Sequence, residues 1–186
     1  LTGVLSALYD ESSWSELGQA LLDAQGGDAK GLFALADQYN ERDDNGHYTN
    51  IQEANTAISC NDQAPGPTDA VITATAQKWA TQYPMFGQWS ASSLFSCQTW
   101  QPVRHVLPKI TAAGSAPILV VGTVHDPATP YAAAGVLAST LGTGVLLSWD
   151  GEGHTAYGGK SSCIDDKVND YLVNGTVPAA NTVCPR

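Results

Sequence analysis

Apolar side chains recur at the spacing of an α-helix in three stretches before residue 100. The first stretch opens with a capping box, Ser13-x-x-Glu16, and stops at a pair of glycines. The last stops before Pro84, because proline cannot continue a helix. The predicted helices begin at Ser13, near Asp28 and at Thr68, and the third runs toward Tyr83. We therefore expect mainly helices and loops in this part of the chain.

The pattern changes after residue 116, where one short run is continuously apolar and a second, at 144–149, is apolar except for Ser148. Such runs are typical of strands that are buried on both faces of a parallel sheet. Each run is followed by a stretch with helical spacing and helix-capping residues. In chain order we predict a strand at 117–122, a helix from Pro130 capped by Thr129, a strand at 144–149, and a helix opened by Ser162-x-x-Asp165 and closed at Gly175. Strand, helix, strand and helix predict an α/β unit with a right-handed crossover.

The composition is that of a globular, acidic protein. Of the 186 residues, 43% are hydrophobic and only 14% are charged, against about 25% charged in an average protein. Eight basic and 18 acidic side chains give a net charge of −10. This balance argues against nucleic-acid binding and against docking on anionic lipid, both of which need clustered Lys and Arg. No apolar run is long enough to span a bilayer.

The negative charge is concentrated near the start of the chain. Residues 1–53 hold ten acidic and two basic side chains, a net charge of −8. Two interpretations stay open. The carboxylates are the solvated surface of helices, or they form a negative rim that attracts a cationic group of a substrate.

Four cysteines, Cys60, Cys97, Cys163 and Cys184, are an even number without a Cys-x-x-Cys pair. No His lies at zinc-ligand spacing from any of them, so we expect no metal site and no other cofactor. Two disulfides in an exported protein account for the cysteines better. Of the three possible connectivities we favour Cys60 with Cys97 and Cys163 with Cys184.

One candidate catalytic residue follows each predicted strand. Asp126 comes after the first strand, and His154, 28 residues later, comes after the second. One helix and one strand fill that separation, so both side chains should reach the same edge of the sheet. An Asp that accepts a hydrogen bond from a His fixes the imidazole tautomer and leaves the other ring nitrogen as a general base. His125 is a weaker candidate for the base, because neighbouring residues usually point in opposite directions.

The sequence holds no matching nucleophile. α/β-Hydrolases place Ser, then Asp or Glu, then His along the chain, with the Ser in a Gly-x-Ser-x-Gly elbow. The only Gly-x-Ser here ends at Ser161, which lacks the second Gly and follows His154. The chain also starts at Leu1 without an initiator Met. We expect it to be the inside or the end of a longer product whose elbow lies upstream.

Several motifs resemble those of one enzyme family, the secreted actinobacterial tripeptidyl aminopeptidases. These are serine exopeptidases of the α/β-hydrolase fold. The specific matches lie at 122–130, at 151–155 and from Cys163 to Cys184, and looser ones lie at 8–9, 14–22, 27–28, 57–62 and 97–100. Together they cover most of the chain, and Asp126 and His154 coincide with the acid and the base of the family.

The resemblance implies an α/β fold class, the C-terminal part of an α/β-hydrolase. Residues 1–112 would be a mainly helical cap, and residues 113–186 would be the last βαβα unit of the parallel sheet, carrying Asp126 and His154. The implied function is release of tripeptides from free N-termini, with the nucleophilic Ser on another part of the hydrolase. The implied partners are that N-terminal part and a peptide substrate, outside the cytoplasm.

Two other functions remain open from the sequence. The Asp and His motifs do not encode the leaving group, so an esterase or lipase of the same fold fits them as well. A chain without a Ser elbow is also compatible with a non-catalytic secreted fragment or binding module. By itself, residues 1–186 should be inactive.

Overall fold

The computed structural model describes residues 1–186, which divide into two compact units. Leu1 with Asn40–Pro108 forms the helical unit, and Thr2–Tyr39 with Lys109–Arg186 forms the α/β unit. In chain order the elements are α1 (Thr2–Leu8), α2 (Trp14–Gln25), α3 (Lys30–Tyr39), α4 (Ile51–Asp62), α5 (Asp69–Gln82), α6 (Gly87–Ser92), β1 (Ile118–His125), α7 (Tyr131–Thr140), β2 (Gly144–Glu152), α8 (Ser162–Asn174) and β3 (Thr182–Cys184). Short 3-10 turns at Glu11–Ser13 and Ser93–Phe95 complete them.

The α/β unit contains a parallel sheet in the order β1, β2, β3. Ile118 pairs with Gly144 at the start of β1 and β2, and α7 is the crossover between these strands. Leu147 and Ile164 are fully buried between the sheet and α8, together with one half of a disulfide at Cys184. β1 lies at an edge of the sheet and carries an unpaired side. The predicted strand, helix, strand and helix are therefore present in the predicted order.

Helices α1 to α3 belong to the same unit as the sheet. Ala7, Leu17, Ala20 and Leu35 bury their side chains in a second small core among these helices. The two compact units therefore meet along the chain at Tyr39 and at Pro108. Apolar periodicity locates helices, but it does not reveal which of them pack beside a sheet that lies much later in the chain.

Two disulfides join the cysteine pairs favoured by the sequence analysis. Cys60 is bonded to Cys97 in the helical unit, and Cys163 is bonded to Cys184 in the α/β unit. The second bond ties α8 to β3. Disulfides are typical of proteins that fold in an oxidising compartment.

Three predicted helix caps are wrong in detail. Ser13 makes no capping hydrogen bond, and Asp10 instead accepts the backbone N–H of Ser12 one turn earlier. Thr129 does not cap α7, because the helix begins at Tyr131 with Pro130 at the N-cap, and the Thr129 hydroxyl instead donates to Asp126. The last helix is capped by Ser161 rather than by the box at Ser162, since the Ser161 hydroxyl accepts the N–H of Ile164. Only at the last helix does a neighbouring side chain with the same capping chemistry take the place of the predicted one.

Four elements were not predicted. α1, α4, α6 and β3 are short or lack a strong apolar period, and β3 has only three residues. Gly175 ends α8 as predicted, with a left-handed φ of 70°. No helix combines the length and the apolar character needed to cross a membrane.

Candidate active site

The carboxyl ends of β1 and β2 bring Asp126 and His154 together. The last pair of the ladder joins His125 to Glu152, one residue before Asp126 and two before His154. The register shifts between Thr123 and His125, so β2 gains an extra residue at this end of the sheet. Bulges of this kind redirect side chains beside functional sites. The Nδ1 atom of His154 lies 3.0 Å from Oδ2 of Asp126.

Asp126 is held by the turn that follows it. Its Oδ1 accepts the backbone N–H groups of Ala128 and Thr129, each at 2.8 Å. Its Oδ2 accepts the Thr129 hydroxyl at 2.9 Å and lies 3.5 Å from the N–H of Thr155. These donors occupy the acceptor positions of the carboxylate that do not face His154. They therefore fix the direction in which Asp126 meets the imidazole.

Asp126 is ionised although its side chain is only 4% exposed. Burial by itself raises the pKa of a carboxyl group. The backbone N–H groups of Thr129 and Ala128, joined by the His154 and Thr129 side chains, outweigh this effect and leave the pKa of Asp126 below its ordinary value. Because an ionised carboxylate can only accept hydrogen bonds, the proton of the Asp126 contact belongs to Nδ1 of His154. In the neutral ring, Nε2 is then free to accept a proton.

His154 combines a fixed orientation with access from outside. Its side chain is 31% exposed, in contrast to the nearly buried Asp126. Its backbone N–H donates to the carbonyl of Tyr9 at 2.8 Å, and the Tyr9 ring meets the imidazole edge-on with centroids 5.1 Å apart. The ammonium of Lys160 donates to the His154 carbonyl at 3.0 Å. The arrangement is an acid that orients a base, and the base can still reach a reacting group.

A mostly apolar cavity of about 420 Å³ lies next to this pair. Residues 120–123 of β1, the turn that holds Asp126, helix α7 and residues 155–157 line it. The hydroxyl of Thr123 faces this region, is buried, and has no hydrogen-bond partner. The cavity is therefore lined mainly by apolar side chains, with a few polar groups, among them Asp126 and Thr123.

The other candidates from the sequence have separate environments. His125 lies 4.0 Å from Asp150, and both side chains are more than half exposed. Ser161, the end of the incomplete Gly-x-Ser, is buried as the cap of α8. The structure therefore pairs Asp126 with His154 and not with His125.

Sequence reasoning missed four residues of the site. Tyr9, Tyr39 and Lys160 contact His154 or its neighbours, yet no local pattern connects Tyr9 with residues more than a hundred positions away. Thr129 could have been found. An Asp followed three positions later by Thr in a Pro-containing turn is a typical pattern for side chains that bond to their own turn.

Comparison with known proteins assigns the chain to a family. Residues 83–184 match the α/β-hydrolase family described as TAP-like protein. Carboxylesterase B of Mycobacterium tuberculosis is 39% identical over 98% of the chain, and serine protease Hip1 of the same organism is 36% identical over 99%. Tripeptidyl aminopeptidase of Streptomyces lividans is 28% identical over 96%.

The chain covers only part of each relative, 36% of the first two and 34% of the third, so it spans about a third of their length. All three names describe hydrolases, which agrees with an Asp and His pair at the end of a parallel sheet. The α/β-hydrolase fold expected from the sequence is confirmed. The chain belongs to the TAP-like family of α/β-hydrolases, whose members are serine hydrolases and peptidases.

Proposed function

We propose that residues 1–186 supply the acid and the base of a serine exopeptidase that releases tripeptides from free N-termini. The observation that carries this proposal is the contact of Asp126 with Nδ1 of His154, which leaves Nε2 open. Asp126 orients His154 and stabilises the imidazolium that forms during the reaction. The nucleophilic Ser lies on a segment outside these residues.

The chemistry follows from the direction of the imidazole. Nε2 of His154 removes the proton of the Ser hydroxyl while the Ser oxygen bonds to the carbonyl carbon of the peptide. His154 then gives that proton to the leaving amine, and the C–N bond breaks. Water, deprotonated by the same nitrogen, then attacks the acyl carbon, and His154 returns the proton to the Ser oxygen as the ester bond breaks and the tripeptide leaves. Asp126 stays ionised throughout these steps.

Two features support a partner segment beside β1. The strand has eight residues and one unpaired edge, and the apolar cavity with the buried Thr123 hydroxyl lies beside it. Edge strands with unpaired backbone groups form hydrogen bonds readily with a further strand. In this proposal, the N-terminal part of the same hydrolase pairs with β1 and places its Ser near Nε2 of His154.

Charge supports a substrate with a free N-terminus. Residues 1–53 carry a net charge of −8, and an exopeptidase has to recognise an ammonium group. The helical residues 1–112 would act as the cap that meets this end of the peptide. The two disulfides support a location outside the cytoplasm.

The experiment compares leaving groups with the gene product that contains residues 1–186. Tripeptidyl anilides with a free N-terminus should be cleaved, and the same compounds with an acetylated N-terminus should be cleaved at least about tenfold more slowly, because the ammonium is lost. Residues 1–186 alone should not react with a serine-directed fluorophosphonate. Equal rates on free and acetylated compounds would contradict the exopeptidase assignment.

An esterase is the second candidate, and one observation favours it. Carboxylesterase B has a higher identity to the chain than the tripeptidyl aminopeptidase, 39% against 28%. Short esters and tripeptidyl anilides should therefore be assayed side by side. Fast ester cleavage without any anilide cleavage would replace the peptidase by an esterase. A gene product that cleaves neither, and that resists fluorophosphonate, would be a non-catalytic binding module.

A further inference from the structure

The ammonium of Lys160 lies among three oxygen atoms, one of which is the backbone carbonyl of His154. It is 3.0 Å from the carbonyl of His154, 3.4 Å from the carbonyl of Tyr9 and 3.2 Å from Oδ2 of Asp10. An ammonium group has three protons to donate, so these acceptors match its full capacity. The Lys160 side chain is only 26% exposed, and its charge is directed at this cluster.

The segment at Tyr9 and Asp10 is itself held in place. The carbonyl of Tyr9 also accepts the backbone N–H of His154. It therefore accepts hydrogen bonds from both His154 and Lys160, which lie at the two ends of the loop after β2. The N–H of Ser12, together with Lys160, lowers the pKa of Asp10 to about 2. Asp10 therefore keeps its charge over the whole pH range in which a His can act as a base.

The loop that carries His154 needs such support. Its two neighbours, Gly153 and Thr155, have φ angles of +90° and +64°. Non-glycine residues with positive φ persist only where the surroundings determine the conformation. Lys160 contacts the backbone of this loop, at the carbonyl of His154. Tyr9 contacts both the backbone and the imidazole of His154, and Asp126 contacts the imidazole and the backbone N–H of Thr155.

We propose that Lys160 is a positioning residue for His154. By joining His154, Tyr9 and Asp10, it fixes the backbone from which the imidazole reaches Asp126, and so it keeps Nε2 directed at the reacting group. This inference rests on the proposed function of His154 as the base. Lys160 does not touch the substrate and donates no proton to it.

The first experiment observes His154 in residues 1–186 and needs no enzymatic activity. In Lys160→Met the amide proton of His154 should exchange at least about tenfold faster with solvent, while that of Leu147 in the core stays protected. The Nδ1 proton that faces Asp126 should give a broader and shifted NMR signal. Lys30→Met is the matched control, because Lys30 also pairs with one carboxylate but is 90% exposed. It should leave both His154 signals unchanged.

The second experiment measures kinetics in the gene product that contains residues 1–186. Lys160→Met should lower kcat about tenfold with KM within about twofold, because a displaced base slows chemistry more than binding. If Lys160→Met does not fold, Asp10→Asn takes its place and should shift the same signals in the same direction. Wild-type His154 exchange and imidazole signals in a folded variant would overturn the proposal. Since those signals do not depend on turnover, an inactive gene product would contradict the proposed function alone.

Discussion

Asp126 shows how a nearly buried carboxyl group stays charged. Three hydrogen bonds from its own turn, two from backbone N–H groups and one from the Thr129 hydroxyl, compensate for the loss of water. Hydrogen bonds to a charged acceptor contribute roughly 1.5–3 kcal/mol each, enough in sum to offset burial. The remaining acceptor capacity goes to His154. The same bonds that lower the pKa of Asp126 therefore also direct the imidazole.

Replacing Asp126 by Asn should reveal this effect as a pH dependence of stability. The pKa of Asp126 is lower in the folded state than in the unfolded state. Its stabilising contribution is therefore complete above the unfolded pKa, about 3.9, and is lost as the pH falls through the folded value. At pH 7, Asp126→Asn should reduce the free energy of unfolding by about 1–3 kcal/mol, and the difference should shrink in acid.

Urea unfolding between pH 7 and pH 2 measures both quantities. Asp150→Asn is the matched control, since Asp150 lies near the same end of β2 but its side chain is 62% exposed. Its stability should follow the wild type at every pH. A difference between Asp126→Asn and wild type that stays constant down to the lowest pH would contradict the account.

Tyr9 offers a second test at the level of single groups. The hydroxyls of Tyr9 and Tyr39 lie 3.4 Å apart, and this hydrogen bond, followed by burial, raises the pKa of Tyr9 to about 12. Tyr39→Phe should lower that pKa toward 10, as measured by NMR of the carbon that bears the phenol oxygen. Tyr48→Phe, which alters an exposed tyrosine, should not.

The sign of the associated stability change is opposite to that of Asp126. A raised folded pKa contributes stability below the unfolded value of about 10, and this contribution disappears as the pH rises through about 12. At pH 9, Tyr39→Phe should therefore have a lower free energy of unfolding than wild type. Above pH 12 the difference between the two proteins should be smaller. A Tyr9 pKa that does not move in Tyr39→Phe would contradict the assignment.

At the scale of elements, the ends of the two central strands define the site. β1 and β2 are parallel, α7 connects them, and the bulge near their carboxyl ends sets where Asp126 and His154 emerge. The loop after β2 then needs a glycine. Gly153 has a φ of +90°, and a Cβ atom there would lie 2.8 Å from the carbonyl oxygen of Tyr9. Both the backbone conformation and the close approach exclude a side chain.

Gly153→Ala should therefore lower the free energy of unfolding by more than the backbone strain alone would. Gly158 provides the matched control, because its φ is +104° but nothing lies within 4 Å of a Cβ placed there. Gly158→Ala should reduce the free energy of unfolding by about 1–2 kcal/mol, the cost of a positive φ. Gly153→Ala should lose at least about 1 kcal/mol more and should expose the amide of His154 to exchange. Equal losses in the two variants would show that the contact with Tyr9 is unimportant.

These elements also show what the sequence can and cannot predict. The strands and the pairing of Asp126 with His154 follow from continuous apolar runs and from the geometry of a parallel sheet. Lys160 and Tyr9 meet across 151 positions, and no local pattern encodes such a contact. β3 is too short for a period, and its position depends on its pairing with β2 and on the disulfide at Cys184. Long-range packing decides these features, so they emerge only in the folded chain.

At the scale of the whole molecule, the proposed function makes residues 1–186 one part of a larger catalyst. The chain spans about a third of the length of its relatives. Its sheet has an unpaired edge at β1, and its sequence contains no Gly-x-Ser-x-Gly. In that proposal, Asp126 and His154 are already oriented, and the remaining part of the hydrolase supplies the Ser.

The most direct measurement compares His154→Ala with His125→Ala in the gene product that contains residues 1–186. Both substitutions remove an imidazole at the same end of the sheet, but only His154 contacts Asp126. His154→Ala should lower kcat on a tripeptidyl anilide by at least about a thousandfold and abolish rapid labelling by a fluorophosphonate. His125→Ala should remain within about threefold of wild type, in keeping with a surface position. Undiminished labelling and turnover in His154→Ala would contradict the central claim that this histidine is the base.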